Sequence, residues 1–561
     1  MDKIASFIEE QLAAWEVPGC AVVAIKDGEI VLNSGFGLRD VEQNKPVTTK
    51  SLFQIGSTTK AFTCAGVGAM VDDGLVEWET PLREYIPGFK MHDPVATERI
   101  TVLDLLCHRS GLPRHDLAWI GRPDWSRAEL VQKLRYFPLS RDIRQTFQYC
   151  NLGYVTAGHL IEVVTGLTWE DWLSTRLLKP LGMDRSNFSV HDSQASDDYS
   201  KPYERRQGKV VEIPFRTLDA AGPAGSINSC TDDMAQWLAV NLGGGKLGDD
   251  QIISPDTMGR QTCVQMGLPE QALFPEATSF GYGLGWGIGQ YRGRRVVEHN
   301  GGIDGSLTEC KMLPNDGIGV VVLTNSSSSM MGPVIANRVI DELLGEEPID
   351  WFTRFKEVFD AMVGGEKDAK QARPRVEGAK PPRPLAEYAG SYEHPGYGPL
   401  SIELQGDELI PTFGTLKVAL VHRHYDVFDL EWRELSEDSH VFPLTFLTDP
   451  NGDVVGFTVP LETECDPIRF DRKADVLDAK TLEKLTGIYE MGPIEVVIAL
   501  KGDGTLTAST AGGPAAELVA SRGLRFGVKD QPTVSAEFVL GADGEVEKIV
   551  LQPMGILTPK R

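Results

Sequence analysis

The chain has 561 residues, with 55 basic against 80 acidic side chains, a formal net charge of −25, and 41% hydrophobic and 24% charged residues. That length exceeds one ordinary core and predicts two to four domains. The composition is that of a folded soluble protein, and the acidic excess argues against non-specific binding to nucleic acid or to an anionic membrane surface.

No apolar run approaches the roughly 20 residues of a membrane span. The opening Met1-Asp2-Lys3-Ile4-Ala5-Ser6 lacks the apolar core of a signal peptide. The expectation is a cytoplasmic protein with no membrane association. The eight cysteines, at 20, 64, 107, 150, 230, 263, 310 and 465, stand singly and without a CxxC pair. That scatter predicts reduced, mostly buried thiols, not a disulfide framework or a zinc knuckle.

Ile4, Phe7, Ile8 and Leu12 recur at helical spacing, so the chain opens with an amphipathic helix. Two apolar stretches, 21–25 and 30–32, flank Lys26-Asp27-Gly28 and read as a hairpin. From about 50 to 240 the pattern is mostly helical, broken by turns such as Ser110-Gly111-Leu112-Pro113. Strands return over 283–286, 295–298 and 319–323. Strands first, helices in the middle and strands last imply an α+β domain: one antiparallel sheet closed by both ends of the segment, flanked by helices, with a helical subdomain.

This domain is assigned to residues 1–362. Residues 363–384 are charged and rich in Pro and Gly, which reads as an exposed linker. Beyond it short alternating strands dominate, and a repeat emerges. Residues 385–393 (LAEYAGSYE) are echoed by 482–490 (LEKLTGIYE), and 451–459 by 543–550, each pair offset by between 90 and 97 residues. Two copies are too few for a solenoid, so residues 385–475 and 476–561 are each expected to close a small all-β barrel. The turn Ala511-Gly512-Gly513-Pro514 in the second module is a candidate protrusion over a catalytic cleft. His422-Arg423-His424 in the first has no nearby carboxylate or cysteine and reads as a solvated strand, so no metal site is expected.

Three short motifs carry chemistry. Gly56-Ser57-Thr58-Thr59-Lys60 precedes the small-residue helical run 61–70, which places Ser57 at a helix N-terminus and Lys60 one turn on, on the same side. A serine hydroxyl needs a group to take its proton, and an amine one turn away does so if burial and the helix dipole depress its pKa. Otherwise the pair is an N-capping serine and a solvated lysine. Tyr149-Cys150-Asn151 sets a phenol and an amide two positions apart, pointing to one side of an extended segment. In isolation these are equally a loop tyrosine and a helix cap. In Val296-Val297-Glu298-His299-Asn300-Gly301-Gly302 an apolar strand runs into an imidazole and bare backbone, where glycines permit close approach of a substrate.

In this order and spacing the motifs resemble the S-x-x-K, Y-x-N and K-T-G/H-x-G signatures of the serine β-lactamase/penicillin-binding superfamily. The resemblance spans about residues 5–345. It extends to 105–112 (LLCHRSGL), 222–234 (GPAGSINSCTDDM), 281–286 (GYGLGW) and 319–325 (GVVVLTN). It implies Ser57 as acylated nucleophile, Lys60 as the activating amine and Tyr149 as proton shuttle. Asn151 would orient Lys60 and the substrate carbonyl. His299 is implied to hydrogen-bond the Tyr149 hydroxyl, and Gly301 and Gly302 to line the substrate site, with backbone N–H groups of Ser57 and Gly302 as oxyanion hole. No cofactor is implied.

The sequence departs from the β-lactamase pattern at His299, where a lysine is usual, and at Cys150, where a small Ala or Ser is usual. Imidazole is mostly neutral near pH 7, so a carboxylate-anchored β-lactam fits less well than a small peptide, amide or ester. The histidine variant and the two modules are similar to the D-aminopeptidase branch, with its lipocalin-like barrels. A peptidase or amidase is the first expectation, a carboxylesterase the second, and a β-lactamase or a non-catalytic binding module the last.

Overall fold

The computed structural model describes residues 2–371, 375–431, 441–450, 452–510 and 512–560. Helix α1 (Asp2–Trp15) leads into strand β1 (Gly19–Lys26) and, through a two-residue turn, β2 (Glu29–Asp40). Asp27 and Gly28 both have positive φ, 50° and 87°, the tight hairpin geometry that an Asp-Gly pair favours. The helical middle follows, with α2 (Thr59–Asp72), α3 (Asn151–Thr165) and α4 (Thr231–Leu242) as its long members.

Six strands then complete the sheet: β3 (Met266–Phe274), β4 (Ala277–Tyr282), β5 (Gly287–Tyr291), β6 (Arg294–Ile303), β7 (Ser306–Leu313) and β8 (Ile318–Thr324). The order across it is β3-β4-β5-β6-β7-β8-β1-β2, with Lys45–Pro46 at the edge. β1 pairs antiparallel with β8, from Cys20–Thr324 to Lys26–Ile318, so the two ends of the domain close one sheet. Both strands are rich in Val and Ile and almost wholly buried, as central strands covered on both faces require.

One face packs α1 and α5 (Met331–Leu344) through Ile4, Ile8, Val22, Val320, Val322 and Ile335. The other carries the helical subdomain, where Phe62 of α2 stacks on Trp237 of α4 with ring centroids 3.7 Å apart.

Helix α6 (Trp351–Gln371) changes the expected linker. Residues 363–371 continue the helix, which Trp351, Phe355 and Phe359 anchor to Phe274 and Trp15. The sequence 366–371 consists largely of good helix formers, and no proline intervenes before Pro374. Residues 372–374 of that stretch lie outside the described residues.

Two closed eight-stranded barrels follow. The first runs from Gly390–His394 to Ile468–Arg472, and the second from Gly487–Met491 to Gly555–Pro559. The repeat has a structural meaning. Tyr392 donates to the Tyr388 carbonyl at 2.7 Å, and Tyr489 to the Leu485 carbonyl at 3.0 Å, each tying a barrel's first strand to the turn before it. Asn451, in the second repeated segment, lies outside the described residues.

The barrels differ in how they attach. The first shares one apolar cluster with the helical subdomain. Its Tyr397 hydroxyl bonds Nδ1 of His115 at 2.7 Å, and Arg122 donates to the carbonyls of Tyr397 and Pro399. The second has a core of its own and meets the first through ion pairs of Arg525 with Asp453 and Arg522 with Glu387.

Candidate active site

Gly56 turns the chain from the short strand Phe53–Gln54 into the 3₁₀ turn Gly56–Thr58 that opens α2. Its φ of 51° favours glycine, and a Cβ there would lie 2.8 Å from the amide nitrogen of Gly302. Ser57 is therefore presented beside the end of β6, half-buried, with Lys60 one turn behind it and fully buried.

Lys60 Nζ lies 3.0 Å from Ser57 Oγ, 2.8 Å from Asn151 Oδ1 and 2.8 Å from the Ala224 carbonyl. Burial lowers its pKa to about 7; the Asp116 carboxylate opposes that drop and the Arg114 guanidinium adds to it. A neutral amine has two N–H donors and one lone pair. Asn151 Oδ1 and the Ala224 carbonyl accept only, so they take the two hydrogens and leave the lone pair facing Ser57 O–H.

Tyr149 and Asn151 arrive from the segment entering α3. The Tyr149 ring stacks on His108 at 4.3 Å, with Lys60 Nζ 4.8 Å and the Arg114 guanidinium 5.1 Å from its centroid. Burial pushes the phenol well above its usual pKa, and the hydrogen bond with Ser57 partly offsets that rise. Tyr149 is thus a neutral O–H beside the nucleophile. Cys150, between them, is buried and its thiol is pushed up to about 12 by burial, so it is packing and not a reagent.

His299 sits in β6, and its hydrogen bonds differ from the expectation. Nδ1 donates to the Asn300 carbonyl at 2.5 Å, and Nε2 accepts from the Tyr282 hydroxyl at 2.9 Å, while the Tyr149 ring centroid is 6.3 Å away. The partner is Tyr282, at the end of β4 and two strands from His299. Burial, then the nearby Lys60, lowers the His299 pKa to about 4, against the opposing pull of the Asn300 carbonyl. Two residues on, a Cβ at Gly301 would lie 1.9 Å from the Ile55 carbonyl, so β6 passes the nucleophile turn at glycine distance. The Gly302 backbone is exposed to the cleft.

A cavity of about 290 Å³ opens over Ser57, lined among others by Arg114, Asp116, Trp119, Asn151 and Ile303. Asp116 accepts from Asn151 Nδ2 at 2.9 Å and from Trp119 Nε1 at 3.1 Å, and pairs with Arg114 at 2.7 Å. The first barrel reaches this rim through its loop 460–467. Glu462 accepts from the backbone N–H groups of His115 and Arg114, and Glu464 accepts from Gln148 Nε2 at 2.8 Å, one residue before Tyr149.

All seven residues singled out in sequence, Ser57, Lys60, Tyr149, Asn151, His299, Gly301 and Gly302, are thus brought to one site. Tyr282, His108, Asp116 and Glu462 were not singled out as site residues. Tyr282 lay in a stretch read as a flanking strand and His108 in one read as an accessory match. Asp116 follows that match by four residues, and nothing local in the sequence marks Glu462. His422 points its Nε2 at the Tyr425 carbonyl, 2.9 Å away. Among the described residues no group of three or more His, Cys, Asp or Glu side chains is placed to hold a metal ion, and no helix is long and apolar enough to cross a membrane.

A family model described as Beta-lactamase matches residues 4–345, and one described as a domain of unknown function (DUF3471) matches residues 374–472. The chain is 33% identical over 422 residues to the unguisins hydrolase ungD' of Aspergillus campestris, covering 71% of this chain and 77% of that protein. It is 28% identical to penicillin-binding protein 4 of Amycolatopsis lactamdurans, over 68% of this chain and 95% of that one. Among solved structures, the octameric penicillin-binding protein homologue from Pyrococcus abyssi superposes with a TM-score of 0.56 at 24% identity, covering 84% of this chain and 99% of that one. D-amino acid amidase from Ochrobactrum anthropi superposes with a TM-score of 0.51 at 23% identity, covering 61% and 98%.

Proposed function

The chain belongs to the Beta-lactamase family, and from that premise we propose that it is a serine hydrolase that cleaves amide bonds of small peptides through an acyl-enzyme on Ser57. The observation that carries this is the buried Lys60 amine, 3.0 Å from Ser57 Oγ with its pKa lowered to about 7.

Ser57 Oγ attacks the substrate carbonyl while its proton passes to the Lys60 lone pair. Charge develops on the carbonyl oxygen, which the backbone N–H groups of Ser57 and Gly302 would stabilise as an oxyanion hole. The Tyr149 hydroxyl, beside Ser57, hands its proton to the leaving amine and is reprotonated by the one held on Lys60, so that Lys60 is neutral again. Loss of that amine leaves an ester on Ser57. Water, deprotonated by the same base, adds to the ester, and Oγ leaves with the proton returned.

The amide preference is supported by the neutral imidazole at His299, which supplies no fixed cation for a substrate carboxylate. It is also supported by the relative named as a hydrolase of unguisins. The cavity of about 290 Å³ suits one or two substrate residues.

The test is a fluorophosphonate adduct on the tryptic peptide containing Ser57, with a parallel panel of amino-acid amides of both configurations, short peptides, p-nitrophenyl esters and nitrocefin. Amide turnover that exceeds nitrocefin turnover and vanishes in Ser57→Ala supports the reading. Esters as the only substrates would make the protein a carboxylesterase working by the same acyl-enzyme.

A further inference from the structure

We propose that Asp116 is a positioning residue of this active site, acting through Asn151 on Lys60; the proposal rests on the reading of Ser57 and Lys60 given above. An asparagine amide has two orientations that exchange its donor and its acceptor. At Asn151 the choice is decisive, because the group facing Lys60 must be Oδ1 if the amine is to keep its lone pair for Ser57. Lys60 itself does not decide it, since a neutral amine both donates and accepts. Asp116 does. Its carboxylate only accepts, and Oδ1 of Asp116 lies 2.9 Å from Asn151 Nδ2, which turns Asn151 Oδ1 onto Lys60 Nζ at 2.8 Å.

Asp116 is itself held from one short loop. Arg114 Nε donates to its Oδ2 at 2.7 Å and Trp119 Nε1 to its Oδ1 at 3.1 Å. Two of its neighbours along the chain thus define the carboxylate, and Asn151, 35 residues on, is the partner it reaches out to. The loop is braced from outside by the first barrel, through the Tyr397 hydroxyl on His115 and Glu462 on the backbone of Arg114 and His115.

The carboxylate also acts on Lys60 through space. The groups facing Lys60 are Asp116 and Arg114 from this loop, His108 from the turn before it, Ser57 and Cys64 from α2, Tyr149 and Cys150 from the segment before α3, Asn151 and Tyr154 from α3, the Ala224 carbonyl, and His299 from β6. Asp116 is the anion among them. It raises the Lys60 pKa against the dominant effect of burial, so its removal moves the acid limb of activity to lower pH. A merely structural aspartate would leave that limb in place.

The experiment is a double-mutant cycle on the full chain, with Asp116→Ala, Asn151→Ala and both together. It is read as the rate of Ser57 phosphonylation by a fluorophosphonate and as kcat/KM on an activated ester. Asp116→Ala alone should slow both by about 10²-fold, the scale of a misplaced catalytic group. In the Asn151→Ala background the same change should cost less than about threefold, because residues acting through one another are not additive. Asp116→Asn, nearly isosteric, carries the cycle if the alanine variant does not fold, and its acid limb should move down in pH. Additive losses, or an acid limb that stays or rises, overturn the proposal while Ser57→Ala remains inactive. Turnover in Ser57→Ala would instead overturn the reading of the site and this proposal with it.

Discussion

Nε2 of His299 accepts a hydrogen bond from the Tyr282 hydroxyl at 2.9 Å while Nδ1–H donates to the Asn300 carbonyl at 2.5 Å. Both ring nitrogens are committed to a neutral tautomer, and burial lowers the imidazole pKa to about 4. The expected outcome is that the His299 ring carbon resonances do not titrate between pH 5 and pH 9. Tyr282→Phe removes a donor to the neutral form while burial and Lys60 still act, so the His299 pKa should rise but stay below its ordinary value. An imidazole that titrates near 6.5 in the parent protein would show that His299 is not held buried beside Lys60.

The pH dependence of catalysis follows from Lys60. Its amine is active when neutral and its pKa is lowered to about 7, so kcat/KM should rise with pH through about 7 and reach a plateau above. The stability sign is the same. The folded-state pKa lies below the ordinary lysine value of 10.5, so the unfolded chain binds the extra proton between the two values, and stability rises with pH across that window. Lys60→Ala should cost about 10²–10⁴-fold in kcat/KM, the range of a lost general base. A loss under tenfold would mean that another group takes the Ser57 proton.

The missing cation at the third motif bears on substrate choice. Nitrocefin carries a carboxylate that neutral His299 does not anchor. Its hydrolysis should be slow beside that of the best peptide amide, and His299→Lys should raise it. Nitrocefin turnover equal to that of the best amide would reverse the substrate assignment.

The residues that contact one another within a few turns of chain were readable in the sequence. Ser57 and Lys60 lie on one helix and Tyr149 and Asn151 two apart, so spacing alone puts each pair on one side. Closure of the sheet was readable as well, from strand-like texture at both ends of the catalytic domain. Tyr282 was not: its role comes from β4 lying two strands from β6, a register that no local pattern encodes. Glu462 is further still from legibility. It lies 346 positions beyond Asp116, and only the docking of a separate barrel brings it to the rim. The helix through 363–371 was misjudged for an opposite reason, since Gly364-Gly365 and the charges outweighed the apolar anchors upstream that hold the helix.

The core of the helical subdomain gives a stability prediction. Phe62, on the helix that carries Lys60, is fully buried and stacks on Trp237 at 3.7 Å. Phe62→Ala removes that stack and leaves a cavity, which should lower unfolding free energy by about 3–5 kcal/mol in denaturant titration. Because α2 is the element that loses support, kcat should fall as well. A loss under about 1 kcal/mol would mean that the neighbouring side chains collapse into the space.

One of the two C-terminal barrels was expected to narrow the cleft, with the turn 511–514 of the second as a candidate protrusion. Ala511 itself lies outside the described residues, and among the described residues the first module is the one that contacts the catalytic rim. Its Glu462 is pushed up to about 7, first by burial and then by Asp116, with the backbone N–H groups of His115 and Arg114 pulling the other way. The folded state therefore holds a proton on Glu462 between the ordinary value of 4.5 and about 7, where the unfolded chain has lost it. Folded stability should fall as pH rises through that window and stay at its lower level above it. Glu462→Gln is neutral at every pH and keeps an oxygen to accept from the same backbone groups. It should match the parent near pH 5 and melt higher than the parent above pH 7, with the pH slope from this site removed. Ester turnover in the variant should persist, since Ser57, Lys60 and Asn151 are untouched, while peptide-length preference should shift with the rim. If Glu462→Gln melts lower than the parent at pH 8, the ionised carboxylate is holding Arg114, and the barrel is anchored to the cleft by charge and not by a protonated acid.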